Sequence, residues 1–176
     1  APPRHLGVAR GGPRDDARVV AMKALAPVLL VSALATPLLA TPLSAQVVGT
    51  ADSIAAALRD YGLKADASLD SEGDPKIESR IEGIRFSIWF YGCEDASCTS
   101  LEFRAGFDLD TPLSAAKVNE WNRTKRFGKA WIDDEGDPFL EMLVPLGTDG
   151  LSDSGFELAL DMWRVGASEF SSFIGW

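Results

Sequence analysis

Two runs of alternating apolar and polar residues, separated by a pair of cysteines, constrain this chain more than any other feature. In the first, Ile84, Phe86, Ile88 and Phe90 recur at period two. In the second, Leu101, Phe103, Ala105 and Phe107 alternate with Glu102, Arg104 and Asp108. That period belongs to strands with one buried face, because successive side chains of a strand point to opposite sides. The connection is short, so the two runs pair as an antiparallel hairpin. Cys93 and Cys98 bracket that connection, and a bond between them pins the register. Trp89 and Tyr91 fall on the side opposite Phe86 and Phe90, beside Arg85. Left open, they form a contact patch; covered by a helix, they join the core.

The flanking sequence supplies helices and further strands. A helix is expected over Asp52–Tyr61, with Asp52 and Ser53 as caps, Ile54, Leu58 and Tyr61 on one face, and Gly62 at its end. Lys64–Asp70 alternates weakly, Ser71–Pro75 is a turn, and Lys76–Glu82 resumes as a strand. Thr111-Pro112 reads as the start of a second helix running to about Arg126, with Val118 and Trp121 inward. Strands follow over Gly128–Asp133 and Phe139–Pro145, joined by a turn at Asp134–Pro138. A last helix, Ser152–Ile174, carries Phe156, Leu160, Trp163, Ala167, Phe170 and Ile174 on one stripe. The order α-ββββ-α-ββ-α predicts an α+β domain, an antiparallel sheet with helices packed on it. The heptapeptides Glu72–Glu78 and Glu135–Glu141 agree at five of seven positions, which marks two similar hairpin turns rather than a repeat array.

The residues before this domain give an address. Residues 24–51 carry no charge, follow Met22-Lys23, and end in small residues at Leu43-Ser44-Ala45. This is the form of a secretory signal peptide over residues 22–45, cleaved after Ala45, with export to the periplasm or beyond. A retained membrane anchor is the alternative, since the run is long enough to span a bilayer, although Pro27, Pro37 and Pro42 interrupt it. Residues 1–21 are rich in Arg, Gly and Pro. They are read as either an over-long start before an initiator Met22 or an extended basic segment, and as no part of the fold. Residues 46–176 form the domain and hold 12 basic and 24 acidic side chains, a formal charge of −12. No membrane span is expected to remain after cleavage. An oxidising compartment makes a Cys93–Cys98 disulfide the default. A metal site would need two more soft ligands, and the spacing is wider than a catalytic Cys-x-x-Cys.

Chemistry is narrowed by what is missing. The one histidine, His5, precedes the domain, so Ser-His-Asp and Cys-His catalysis and His-ligated zinc have no imidazole there. No phosphate-binding glycine loop appears. The acidic balance, with a pI near 4.6, argues against nucleic acid as partner. The clustered acids Asp133, Asp134, Glu135 and Asp137, and Asp70, Glu72 and Asp74, sit in turns as solvated groups. Calcium is one alternative for them, without the order of an EF-hand loop; a carboxylate pair of a hydrolase is another. Asn119 and Asn122 share a helix face flanking Trp121, with Arg126 beyond. The amides and the indole could grip a peptide, or the amides could bind nearby strand ends while Trp121 fills the core.

Several of these segments, taken in order, resemble the YbjN-like domain family. They are Gly73-Asp74-Pro75, Phe90-Tyr91-Gly92-Cys93, Cys98 before Ser100-Leu101, Val118-Asn119-x-Trp121-Asn122, Arg126-Phe127 and Gly136-Asp137-Pro138. The resemblance covers about Asp52–Ile174. It implies a fold similar to type III secretion chaperones, a two-layer sandwich whose sheet and helices hold a partner, often across a homodimer. It also implies a role in sensory or stress regulation, and it carries no catalytic residue and no cofactor. A signal peptide and a cysteine pair depart from the cytoplasmic relatives and point away from a cytosolic role. The expectation is a non-enzymatic, exported module for a protein or peptide, with Trp89, Tyr91, Asn119, Trp121, Asn122 and Arg126 as contact residues.

Overall fold

The computed structural model describes residues 46–176; the expected signal segment and residues 1–21 lie outside them. Strands β1 (Gln46–Val47), β2 (Asp66–Leu69), β3 (Pro75–Ile81), β4 (Ile84–Glu94), β5 (Ser97–Gly106), β6 (Lys129–Ile132), β7 (Pro138–Pro145) and β8 (Leu151–Ser152) alternate with three helices. These are α1 (Ala51–Asp60), α2 (Ala115–Thr124) and α3 (Asp153–Ile174). Six strands form one antiparallel sheet in the order β2-β3-β4-β5-β7-β6. The fold class and element order are those expected. The addition is a two-stranded ribbon of β1 and β8, too short to leave any periodic signal.

The central hairpin forms as the alternation requires. Ile88 faces Phe103, Phe90 faces Leu101, and Cys93 faces Cys98 in the register. The cysteines are joined, one pair in from a two-residue turn. Asp95 and Ala96 both adopt positive φ there (49° and 66°), the twist that matches a tight hairpin. Gly49 passes directly over this hairpin: the Cys98 amide donates to the Gly49 carbonyl at 2.8 Å. A Cβ on Gly49 would stand 1.7 Å from the Cys98 oxygen, so only glycine fits.

Two helix starts differ from expectation. Thr50, not Asp52, caps α1, its hydroxyl accepting from the Ser53 amide. Ser53 instead turns back to accept from the Val48 amide at 3.1 Å, a reciprocal arrangement that fixes the entry of the chain. Likewise α2 is capped by Ser114, not opened by Thr111-Pro112. The Leu113 amide is taken by the Gly136 carbonyl at 3.0 Å, which holds the segment before Ser114 extended against the β6–β7 turn. At its far end α2 stops at Thr124, because Lys125 is extended (φ −107°, ψ 147°). Ser152 caps α3, and Gly175 ends it in the left-handed conformation (φ 80°).

The helices cover one face of the large sheet. Phe86 and Phe103 meet Trp163 of α3 at centroid distances of 5.6 and 5.8 Å. Phe107 meets Phe170 at 5.3 Å, and Trp121 of α2 meets Phe170 at 4.9 Å. Every stripe residue of α3 is buried except Ile174, which is partly so. Each large side chain removed from water here contributes about 1.5–3 kcal/mol. Among the described residues no helix is long and apolar enough to cross a membrane.

Candidate functional site

Among the described residues the other face of the sheet has no helix on it, and the register lays out what it carries. Along one row stand Lys76, Trp89, Glu102 and Leu143; along the next stand Glu78, Ser87, Arg104, Glu141 and Lys129. Leu143 is 65% exposed and Tyr91 43%, both large apolar or aromatic groups left in water. Trp131 lies flat on Phe139, with centroids 4.4 Å apart and planes within 8°. Trp89 and Tyr91 thus share an open face with two further aromatic rings.

Charged groups hold these rings in place. The Lys76 ammonium sits 4.8 Å from the Trp89 ring centre and the Arg104 guanidinium 5.5 Å from it. Such contacts stabilise by about 0.5–1 kcal/mol at exposed sites. Arg104 pairs with Glu102, and Lys76 pairs with Glu78 at 3.0 Å. Glu141 accepts from the Trp131 indole at 2.9 Å and from Lys129 at 2.8 Å. That hydrogen bond to Glu141 and its charge raise the Lys129 ammonium above its ordinary pKa. Two donors in this layer, Trp89 Nε1 and Arg104 Nε, are buried with no acceptor among the described residues.

The remaining expected contact residues lie elsewhere. Trp121 is fully buried among the helices and donates to the Gly128 carbonyl at 3.3 Å. Asn122 binds the Ala130 backbone twice: its amide nitrogen donates to the carbonyl at 2.9 Å, and its oxygen accepts from the amide at 2.8 Å. Asn119 and Arg126 are exposed, Arg126 lying 5.6 Å from the Phe127 ring. The six residues therefore occupy two places, Trp89 and Tyr91 on the bare sheet and the other four on or just beyond α2. Sequence reasoning missed Trp131, Phe139, Leu143 and Arg104. The parity of β7 could have placed Phe139, Glu141 and Leu143 together, but only once its pairing with β5 was known.

The acidic turns are built alike. Asp70 Oδ1 accepts from the Glu72 and Asp74 amides at 2.9 and 3.0 Å, and Asp133 Oδ1 accepts from the Glu135 and Asp137 amides at 3.0 and 2.9 Å. Each carboxylate replaces a backbone acceptor in its own turn. No three His, Cys, Asp or Glu side chains among the described residues converge as a metal site. A groove of about 170 Å³ between α1 and α3 is floored by Val47, Phe156 and Leu160 and edged by Asp60, Asp153 and Glu157.

Comparison with known proteins agrees with the resemblance. Residues 50–176, well over half of the chain, match the sequence profile of the YbjN family, described as "putative bacterial sensory transduction regulator". The chain belongs to that family. No curated protein matches it.

Proposed function

We propose that this member of the YbjN family is an exported, non-enzymatic module that holds a protein or peptide segment against the bare face of its sheet. The observation that carries this reading is the face itself, where Tyr91, Leu143 and the stacked Trp131 and Phe139 remain in or near water although three helices were available to cover them. Aromatic rings held by packing and cation contacts are suited to binding, because little side-chain entropy remains to be lost. The family description is regulatory rather than catalytic, and the domain has no histidine. Export is supported by the uncharged tract before the domain and by the joined cysteines.

The test is affinity capture from a periplasmic extract with the native chain and with Leu143→Asp. Leu143 is exposed, so the variant should keep its stability within about 0.5 kcal/mol. A protein retained saturably by the native chain and lost by the variant is the expected result. Equal recovery by both would overturn the reading, and so would turnover of a small molecule that a single substitution abolishes.

A further inference from the structure

We infer that the segment held on the bare face is acidic. This rests on the reading above and names the chemistry of the partner. Residues 46–176 carry a formal charge of −12, yet the bare face carries the opposite sign. Lys76, Arg80, Arg85, Arg104 and Lys129 share its parity, against Asp66, Glu78, Glu102 and Glu141. Five cations face four carboxylates, a small positive balance in a segment, residues 46–176, where acids outnumber bases two to one.

The pairing shows where the surplus lies. Lys76, Arg104 and Lys129 each meet a carboxylate on the face. Arg80 and Arg85 meet none among the described residues and stand directly opposite each other in the β3–β4 register. Like charges so placed destabilise a sheet. Arg80 is held by the Gly83 carbonyl at 2.6 Å, and Arg85 points free into water. The two line an open cleft of about 480 Å³ with Lys64, Asp66 and Glu78, beside the edge strand β2.

The face is short of acceptors as well as of negative charge. The donors Trp89 Nε1 and Arg104 Nε, lying within one aromatic–guanidinium contact, have no acceptor of their own. A buried donor left unpaired costs about 1–3 kcal/mol. An incoming carboxylate over this layer would give Lys76 and Arg104 a second partner, and the unpaired N–H dipoles beneath it favour negative charge there. A basic segment would add like charge to the arginine pair and supply nothing to either donor. The rings Trp89, Trp131 and Phe139 provide the apolar contact that an acidic segment with interspersed aromatic or aliphatic residues needs.

The experiment titrates the purified domain with short fluorescein-labelled peptides that share one Leu/Trp pattern and differ only in having Glu, Lys or Ser between. Anisotropy should show the Glu peptide binding at least about tenfold more tightly than the Lys peptide, and less tightly as salt is raised. Arg85→Glu should abolish that preference and Arg85→Gln should reduce it; the two are compared by circular dichroism with the native chain. Equal binding of all three peptides, a preference for the Lys peptide, or no binding of the Glu peptide would overturn the acidic assignment. Binding of phosphatidylglycerol vesicles in place of the Glu peptide would overturn it too. The Ser peptide separates the two claims: if it binds and Leu143→Asp abolishes that binding, the bare face remains a docking surface whatever the preferred charge. If no peptide binds and the capture experiment also fails, both readings fall.

Discussion

Individual side chains divide into those that satisfy the backbone and those that the fold leaves unsatisfied. Trp121 and Trp163 are both fully buried, yet only Trp121 has an acceptor for its indole N–H. Trp121→Phe should therefore cost about 1 kcal/mol more than Trp163→Phe, since the second change also removes an unpaired donor. Urea unfolding of the two variants checks this order. Asn122→Leu should lose two hydrogen bonds to Ala130, about 2 kcal/mol together, and hydrogen exchange at the Ala130 amide should accelerate. Tyr61 gives a pH dependence. Burial, and then its 2.6 Å hydrogen bond to Asp161, raises the phenol above its ordinary pKa of about 10. A group whose folded pKa is raised contributes stability that is present below the unfolded value and lost as pH rises through the folded one. The urea midpoint should accordingly fall above pH ~10 in the native chain and fall less in Tyr61→Phe.

At the scale of elements, legibility followed periodicity. The β4–β5 hairpin and the α3 stripe were readable because one repeats at period two and the other at steps of three and four. The starts of α1 and α2 were not, because Asp52 and Thr111 are acceptable caps in isolation, whereas Ser152 was the start expected of α3. What decided between candidates was tertiary: Ser53 was drawn to Val48, and Leu113 was bound by Gly136. The heptapeptide echo proved to be two turns of one design, each closed by its first aspartate. Asp70→Ala and Asp133→Ala should each cost about 1–2 kcal/mol, while the Asn variants, which retain the accepting oxygen, should cost less. Thermal or urea melts of the four proteins test this. The Cys93–Cys98 bridge closes a short loop, so replacing both with Ser should cost about 2 kcal/mol by the chain-entropy account, again read by urea unfolding.

Taken as a whole, residues 46–176 make a sheet dressed on one side, and that asymmetry was only half visible from the chain. The parity of Trp89 and Tyr91 placed them away from the core, but whether a helix would cover them depended on where α2 and α3 returned. All three helices return to the same side, which leaves the paired aromatic and charged residues of β5, β6 and β7 as one continuous field. Asn122 could be read either as a peptide grip or as a partner for a strand end, because an amide suits both; the fold gives it a backbone partner in Ala130.

The two margins of the sheet end differently. β6 is sealed by α2, with Asn122 occupying the outward groups of Ala130, whereas β2 is exposed along its length and has no second neighbour among the described residues. A strand from another molecule could extend the ladder at β2 alone. The ladder is thus capped at Ala130 on one margin and open on the other, so a further strand has a single place to add.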